Sequence, residues 1–156
     1  LQQQTVTTAA GFRTSSSNTV DYATKQGWYM DLPSTGERAN TTPATDDLGN
    51  LVFTTNIPSA TPCVPGGSSW FYALDSKTGG LANYATNSWS GSFLGAGLAS
   101  RVTPVILPDG ERGVYIRTSE RQSGGGSGPG TLYKGYAKRP ISASIIKRTW
   151  RQLYLY

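Results

Sequence analysis

The sequence contains no histidine, and this absence excludes more chemistry than any other feature of its composition. Without an imidazole there is no Ser-His-Asp or Cys-His catalysis, no histidine metal ligand and no histidine general base. The single cysteine, Cys63, allows neither an internal disulfide nor a metal cluster of Cys and His. We therefore expect neither histidine-dependent catalysis nor a fold that is an internal disulfide scaffold.

Long apolar runs are also missing. No stretch approaches the length needed to cross a bilayer, and no signal-peptide pattern opens the sequence. Because the sequence starts at Leu1 inside a strand-like run, we expect a fragment or a processed product of a longer protein. Cys63 is then either a free thiol or the partner of a cysteine outside this segment, and the sequence leaves both open.

What the 156 residues do contain is the composition of short strands joined by many turns. Glycine (19) and proline (9) are frequent and 37% of the residues are hydrophobic, whereas long helices need more Ala, Leu, Glu and Lys. The nine tyrosines and four tryptophans suit sheets that pack through bulky side chains. We predict a single all-β module of antiparallel strands over residues 1–156.

The net charge of +5 is unevenly distributed. Residues 1–100 carry four basic and six acidic side chains, a net −2, whereas residues 101–156 carry ten basic and three acidic ones, a net +7. Such a basic region can meet an anionic lipid, a nucleic acid or an acidic protein. Because the basic residues are spread along predicted strands and loops, solvated rim positions are favoured and no nucleic-acid partner is expected.

Two neighbouring runs predict the centre of a sheet. Residues 51–57 alternate between two faces, and residues 70–74 are apolar on both faces, which indicates a strand covered on both sides. Residues 1–8 are polar on both faces and are predicted to form an edge strand or one that needs an outside partner. Other strands are predicted at 28–32, on either side of an Asp-Gly hairpin at 108–113, at 132–137 and from about 145 to 156.

The connections between these strands are rich in glycine and proline. Pro58–Gly67 is interpreted as a rigid loop and Gly91–Gly97 as a glycine-rich crossing between strands. Residues 123–130 (SGGGSGPG) are predicted to be a flexible loop. Arg139-Pro140 is predicted to form a turn before the last strand.

Asp46-Asp47-Leu48-Gly49-Asn50 is the acidic cluster to test for calcium. Calcium loops place carboxylates at alternate positions, whereas these two aspartates are adjacent and point apart, so a hairpin turn is favoured and no metal is assigned. A second turn is predicted at Asp75–Gly79, where Ala73-Leu74-Asp75-x-x-Thr78-Gly79 resembles the turn of quinoprotein-type β-propeller blades.

Asp31 and Glu37 flank the Pro33–Gly36 turn and are the nearest approach to a glycosidase pair. Nothing around them indicates a buried catalytic acid, so Glu37 and Arg38 are interpreted as a surface or turn-stabilising pair. No glycine-rich segment has the spacing of a phosphate-binding loop. We assign no catalytic, cofactor-binding or metal-binding residue.

Aromatic side chains suggest the alternative function, a carbohydrate- or surface-binding module. Exposed aromatic rings stack on sugars or on single-stranded nucleic acid, but most aromatic residues of an all-β domain this size belong to the core. We therefore expect core positions, and exposed coplanar tryptophans would favour the alternative. The residues concerned are Trp28, Tyr29, Trp70, Tyr72, Trp89 and Trp150.

Short motifs follow one another along the chain in a characteristic order: Leu1–Val6, Ser17–Asp21, Gly27–Pro33, Gly36–Arg38, Phe53–Ser59, Pro62-Cys63, Gly66-Gly67, Ser69-Trp70, Leu74-Asp75, Thr78–Gly80, Gly97–Ser100, Thr103–Ile106 and Arg148–Leu153. This order resembles the C-terminal region of the PilY/PilC family, large proteins associated with type IV pilus assembly and pilus-tip adhesion. The resemblance covers most of the chain and is most specific over its first half. It departs from the family pattern at Lys134–Arg148 and at Leu153–Tyr156.

The resemblance implies an all-β segment that contributes blades or a cap to a modified β-propeller, with a small β-sandwich as the fallback. The absence of a blade-length repeat argues against a complete propeller and against a quinoprotein enzyme. Gly27–Pro33, Pro58–Gly67 and Trp150–Leu153 are expected to be structural signatures. The calcium loop associated with the family has no match here, so any calcium would lie upstream in the parent protein.

The implied role is non-enzymatic assembly of a type IV pilus at or near its tip. The implied partners are minor pilins or other tip subunits, together with a cell or abiotic surface. The implied location is extracytoplasmic, at the pilus tip, the outer-membrane surface or the periplasm.

Overall fold

The computed structural model describes residues 1–61, 66–119 and 131–139, and every regular element within them is a strand. These strands form three sheets, which confirms the all-β prediction. Their pairing is antiparallel except between β1 and β4, which are parallel. The strands are β1 (Gln2–Gln4), β2 (Val6–Ala9), β3 (Phe12–Ser15), β4 (Trp28–Met30), β5 (Ala44–Thr45), β6 (Asn50–Pro58), β7 (Gly67–Asp75), β8 (Gly91–Ala96), β9 (Thr103–Ile106), β10 (Glu111–Ile116) and β11 (Thr131–Lys138).

The largest sheet has six strands in the order β2-β3-β8-β7-β6-β5. Its centre is the β6–β7 hairpin, which is paired continuously from Asn50↔Asp75 to Pro58↔Gly67. The side chains of residues 70–74 are buried on both faces of β7, as the sequence predicts. The alternation of residues 51–57 is likewise confirmed, since they form β6.

Two smaller layers cover the faces of this sheet. On one face the three-stranded sheet, ordered β11-β10-β9, shares a core with β6 and β7. On the other face β4 packs Trp28 and Met30 against Phe53, Trp70 and Leu74. The core shared by the two larger sheets contains Val52, Phe71 and Ala73 from the first and Val114, Ile116, Tyr136 and Ala137 from the second.

Both aspartate turns form as predicted. Asp46 Oδ1 accepts the N–H groups of Leu48 (2.9 Å) and Asn50 (2.8 Å). Asp75 Oδ1 accepts the N–H of Lys77 at 2.9 Å, and Gly79 closes this turn with a φ of +73° that favours glycine. In each turn the carboxylate supplies acceptors that the reversing backbone needs.

The prediction of one strand over residues 1–8 is wrong. The chain forms β1 and β2, which lie in different sheets, with the break at Thr5. At the break Ser16 donates its N–H to the Thr5 carbonyl at 2.8 Å and accepts the Thr5 N–H on its Oγ at 3.0 Å. The predicted edge position is confirmed for β2, which is the outermost strand of the six-stranded sheet.

The interpretation of Gly91–Gly97 as a crossing is also wrong, because residues 91–96 form β8. A Cβ at Gly91 would lie 3.1 Å from Arg13 Cβ and 3.2 Å from the Tyr72 ring, so glycine permits the close approach of strands here. A bulge follows, where the register with β7 shifts between Ser69 and Trp70 and Gly95 has a φ of +95°.

The strands predicted at 28–32 and 132–137 form as β4 and β11, and the hairpin at 108–113 joins β9 to β10. Several other predictions fall outside the described residues: the loop at 123–130, the turn at Arg139-Pro140, the strand at 145–156 and the environment of Cys63. The described residues form no closed ring, and the place of this chain in a propeller stays a prediction.

Candidate functional site

Within the described residues, polar side chains from distant segments of the chain meet at three places, and each place contains at least one buried polar residue. The arginine cluster contains Arg13, Ser34, Glu37, Thr55 and Tyr72. The aspartate cluster contains Asp46, Asp47, Asn50, Arg112 and Tyr136. The tryptophan junction contains Gln4, Trp28 and the Asp75–Gly80 turn.

The arginine cluster is centred on a fully buried ion pair. Arg13 Nη1 lies 2.6 Å from Glu37 Oε1, and both side chains are 0% exposed. The guanidinium also donates to Ser34 Oγ at 2.6 Å and to the hydroxyl of Tyr72, while Thr55 donates to Glu37 at 2.5 Å. Because nearly every polar atom has a partner, the cluster offsets the cost of burying two charges.

Aromatic rings close the arginine cluster on its remaining sides. The Arg13 guanidinium lies 3.7 Å from the centroid of the Trp70 ring, within cation–π range. Tyr72 stacks on Phe53 with centroids 4.9 Å apart. Burial, followed by the neighbouring Glu37 carboxylate, raises the pKa of Tyr72, so its hydroxyl stays protonated and bonded.

The interpretation of Glu37 as a surface residue is therefore wrong. Its turn-stabilising role is present, because Glu37 Oε2 accepts the N–H of Ser34 at 3.3 Å. Arg38 is exposed and instead pairs its backbone with that of Asn56. No local pattern marks Arg13 or Glu37, because their partners come from four segments that only the sheet order brings together.

The aspartate cluster joins the six-stranded sheet to the three-stranded sheet. Arg112 of β10 donates from Nε and Nη2 to the two oxygens of Asp47, at 2.9 and 2.5 Å. Tyr136 of β11 donates to Asp46 Oδ2 at 2.9 Å, and Asn50 Nδ2 donates to the same oxygen at 2.9 Å. The carboxylates of the two adjacent aspartates therefore accept hydrogen bonds from different partners, as expected for side chains that point apart in a turn.

Electrostatics in the aspartate cluster follow from this geometry. The hydrogen bonds from Arg112 lower the pKa of Asp47 and raise that of Arg112 itself. Burial, followed by the Asp46 carboxylate, raises the pKa of Tyr136. Beside the cluster is a groove of about 200 Å³ lined by Thr45, Asp46, Asp47, Pro104, Val105, Ile106 and Arg112.

At the tryptophan junction two of the sequence motifs meet in space. Trp28 donates its indole N–H to the Ser76 carbonyl at 3.0 Å, and a Cβ at Gly79 would lie 2.5 Å from the Trp28 ring. Gln4 is 1% exposed and bridges the carbonyls of Asn18 (2.7 Å) and Thr78 (2.8 Å). Gly27–Pro33 and the Asp75–Gly80 turn are therefore parts of one structural contact.

A further buried amide, Asn56, has no local sequence signal. Asn56 of β6 donates to the Ala99 carbonyl at 3.1 Å and accepts the Ala99 N–H at 2.6 Å, which fixes the segment entering the three-stranded sheet. Gly67, in the signature Pro58–Gly67, leaves no space for a side chain beside the Ile57 carbonyl. The third signature, Trp150–Leu153, lies outside the described residues.

The aromatic residues of the alternative function are mostly packed. Trp70 and Tyr72 are buried, Trp28 and Trp89 are half-buried against the two cores, and Tyr29 is 41% exposed. Trp150 lies outside the described residues. Among the tryptophans that the structure describes, no exposed coplanar set is present, so the alternative function gains no support.

Charged groups in the described residues lie mostly at the surface. The basic side chains described from residue 101 onward are exposed, except Arg112, in agreement with rim positions. In the described ranges, no group of three or more Cys, Asp or Glu side chains is placed to hold a metal ion. Nor does any described segment form a helix suited to crossing a membrane.

Comparison with known proteins identifies homologues from type IV pilus systems. The chain is 39% identical over 69 residues to a PilY1 homolog of Xylella fastidiosa described as a type IV pilus biogenesis factor, over 40% of this chain and 5% of that protein. It is 34% identical over 102 residues to the type IV pilus biogenesis factor PilY1 of Pseudomonas aeruginosa, over 54% of this chain and 9% of that protein. No family model and no solved structure matches.

These homologues confirm the resemblance to the PilY/PilC family. The chain is an all-β segment whose sequence is similar to a region of PilY1 type IV pilus biogenesis factors, over about half of its residues. The matched region spans less than a tenth of the length of these relatives.

Proposed function

We propose that this chain is a non-enzymatic component of a type IV pilus that supports pilus biogenesis. The observation that carries the proposal is its similarity to PilY1 biogenesis factors from two bacteria. The polar clusters support a structural role, because their side chains are used in contacts between strands and turns. A catalytic group would instead need an unoccupied face toward a substrate.

The finer proposal places the chain at or near the pilus tip, in the cell envelope or outside the cell. Minor pilins or other tip subunits are the proposed partners, and adhesion to a cell or abiotic surface is the proposed second task. These assignments extend the role of the homologues to this chain, which matches only a short part of them.

The sheet order supports a further part of the proposal, that the chain contributes blades to a propeller. Strands β5 to β8 are consecutive neighbours in one sheet, and β9 to β11 are consecutive neighbours in the next. The two sheets share one core, as face-to-face blades do in a propeller built from four-stranded sheets. The Asp75–Gly79 turn lies between the third and fourth strands of the first set.

The test is immunogold labelling with an antibody against residues 1–156, on intact cells and on sheared filaments. Gold at filament ends, lost in a strain that lacks minor pilins, is the expected result. Gold spread evenly over the envelope and unchanged in that strain would contradict the tip assignment and favour a surface-binding module. A strain deleted for this protein controls for cross-reaction.

A further inference from the structure

The outer edge of β2 presents hydrogen-bonding groups to solvent. Ala10 and Gly11, with φ values of 49° and 80°, form the two-residue turn of the β2–β3 hairpin, so Ala9 and Phe12 are a hydrogen-bonded pair. Pairs alternate along an antiparallel ladder, so the N–H and C=O groups of Val6 and Thr8 point away from β3.

Two contacts confirm this alternation. The Ser16 N–H donates to the Thr5 carbonyl at 2.8 Å, which makes Thr5 a member of the inward-bonding set. The carbonyl of Arg13, which lies opposite Thr8, accepts the N–H of Ser90 at 2.8 Å from the β8 side. Within the described residues nothing pairs with the outer edge of β2.

This edge lacks the features that usually prevent strands from pairing between molecules. From Leu1 to Phe12 the sequence contains no charged residue and no proline. Thr7, Thr8 and Ala9 are exposed, and the segment is rich in β-branched residues. Such a strand is a template for another strand of the same kind.

Three of the other outer edges of the sheets carry features that oppose pairing. The edge strand β5 has two residues and follows Pro43, and β9 contains Pro104. The edge strand β11 carries Lys134 and Lys138 in its sequence. Short length, proline and lysine are all known to block edge pairing, so β2, which has neither proline nor lysine, differs from these three edges.

We propose that β2 pairs antiparallel with β2 of a second copy of this chain, about a two-fold axis at Thr7. In that register Val6 of each copy faces Thr8 of the other, and the outward groups of both residues exchange hydrogen bonds. Thr7 faces its own counterpart as a non-hydrogen-bonded pair, where threonine hydroxyls interact across strands. The edge is thus complementary to itself, and no charge on it repels a second copy. This inference does not depend on the pilus role.

Disulfide trapping tests the register directly. In a Cys63→Ser background, Thr7→Cys places the two thiols across the two-fold axis, where Cα atoms lie about 4.5 Å apart and a disulfide fits. Thr14→Cys is the matched control, because Thr14 is exposed beside Thr7 but one strand inward. Its two copies would lie about 14 Å apart, three strand spacings, which no disulfide spans.

The expected result is an oxidised dimer of the Thr7→Cys chain and a monomer of the Thr14→Cys chain on non-reducing gels. Equal trapping of both variants, or of neither, would overturn the proposal.

Analytical ultracentrifugation of the 1–156 chain provides a second, independent readout. The wild-type chain should form a dimer with rising concentration, and Thr7→Lys should weaken it by about tenfold or more because like charges then face each other. Mixing the Thr7→Lys and Thr7→Glu chains should restore dimers, and Thr14→Lys should leave the dimer unchanged. A wild-type chain that stays monomeric, or a dimer insensitive to Thr7→Lys, would show that β2 is not the interface.

Discussion

Two arginine–carboxylate pairs within the described residues have nearly the same shortest N–O distance but lie in opposite surroundings. Arg13 and Glu37 are 2.6 Å apart with both side chains 0% exposed, whereas Arg112 and Asp47 are 2.5 Å apart with side chains 11% and 46% exposed. Removing either partner of the first pair would leave a buried charge without a counter-ion, which strongly destabilises a fold. The second lies partly in solvent, and an ion pair of this kind contributes only about 0–1 kcal/mol to stability. Distance alone therefore says little about how strongly a pair supports the fold.

The two pairs also connect different parts of the molecule. Arg13 lies on β3 and Glu37 in the loop after β4, so the buried pair holds the N-terminal hairpin and this loop to the centre of the large sheet. Arg112 lies on β10 and Asp47 in the turn before β6, so the half-exposed pair joins the two larger sheets at their rim.

The largest effect is expected from breaking the buried pair. Glu37→Gln leaves the Arg13 charge without a counter-ion and should lower the free energy of unfolding by about 3–5 kcal/mol. Urea unfolding of the variant and of wild type measures this difference. Asp47→Asn is the matched control at the half-exposed pair, and equal losses in the two variants would contradict the comparison.

Removing both buried charges should be milder than removing one. In Arg13→Met/Glu37→Leu no unpaired charge remains. We therefore expect the double variant to be at least about 1 kcal/mol more stable than Glu37→Gln. The hydroxyls of Thr55 and Tyr72 lose partners, which limits the recovery. A double variant less stable than Glu37→Gln would show that the hydroxyl network, not the charge, dominates.

The aspartate cluster contains a buried hydroxyl group, that of Tyr136. Tyr136→Phe removes one hydrogen-bond donor to Asp46 Oδ2, whereas the donor from the Asn50 amide remains. Because a hydrogen bond to a carboxylate is lost, the free energy of unfolding should fall by about 1.5 kcal/mol. Thermal unfolding followed by circular dichroism measures the loss. Tyr115→Phe, at an exposed position of β10, is the control and should leave the midpoint unchanged.

Tyr72 and Tyr136 should also respond to alkali differently from exposed tyrosines. Their pKa values are raised by burial, so their stabilising contribution is complete below pH about 10, the ordinary tyrosine value, and is lost as pH rises above it. Absorbance of tyrosinate near 295 nm should show these two ionising only as the fold opens. Their reversible ionisation near pH 10 in the folded protein would contradict the buried placement.

The smallest effect is expected at the half-exposed pair. Asp47→Asn should cost less than about 1 kcal/mol at neutral pH, and less again in 1 M salt, because Asp47 is close to solvent. Since Arg112 lowers the pKa of Asp47, the contribution is present above about pH 4 and is lost as pH falls through the folded value. Urea midpoints of wild type and variant at pH 7 and pH 2 should therefore converge at the lower pH.

The sequence predicts the central strands well because their signals are local. The β6–β7 hairpin has regular alternation. In the turns at Asp46 and Asp75, each carboxylate accepts backbone N–H groups from residues no more than four positions away. The parallel pairing of β1 with β4 has no such signal, since it joins residues 26 positions apart without a turn motif. The glycines of β8 mislead for a related reason, because Gly91 is required by a neighbouring strand and not by a turn.

The clusters were harder to predict than the strands. Glu37 looks like a surface residue in sequence, and only the meeting of β3, β6 and β7 surrounds it. The sequence correctly predicts a turn at Asp46 and Asp47, but their partners Arg112 and Tyr136 lie more than 60 residues away. Local patterns specify such turns, whereas buried charge pairs depend on contacts that only the complete fold creates.

The position of β3 beside β8 has a consequence for how the chain acquires its structure. Ser15 and Ser90, 75 residues apart, hydrogen-bond across this pairing, whereas β5 to β8 join neighbours along the chain. Local pairings form fastest, so the β5–β8 meander should be complete before the N-terminal hairpin can dock. During synthesis the hairpin emerges before β8 and remains undocked until that strand has been made. Its docking, and the burial of Arg13 that accompanies it, would then follow the formation of β8.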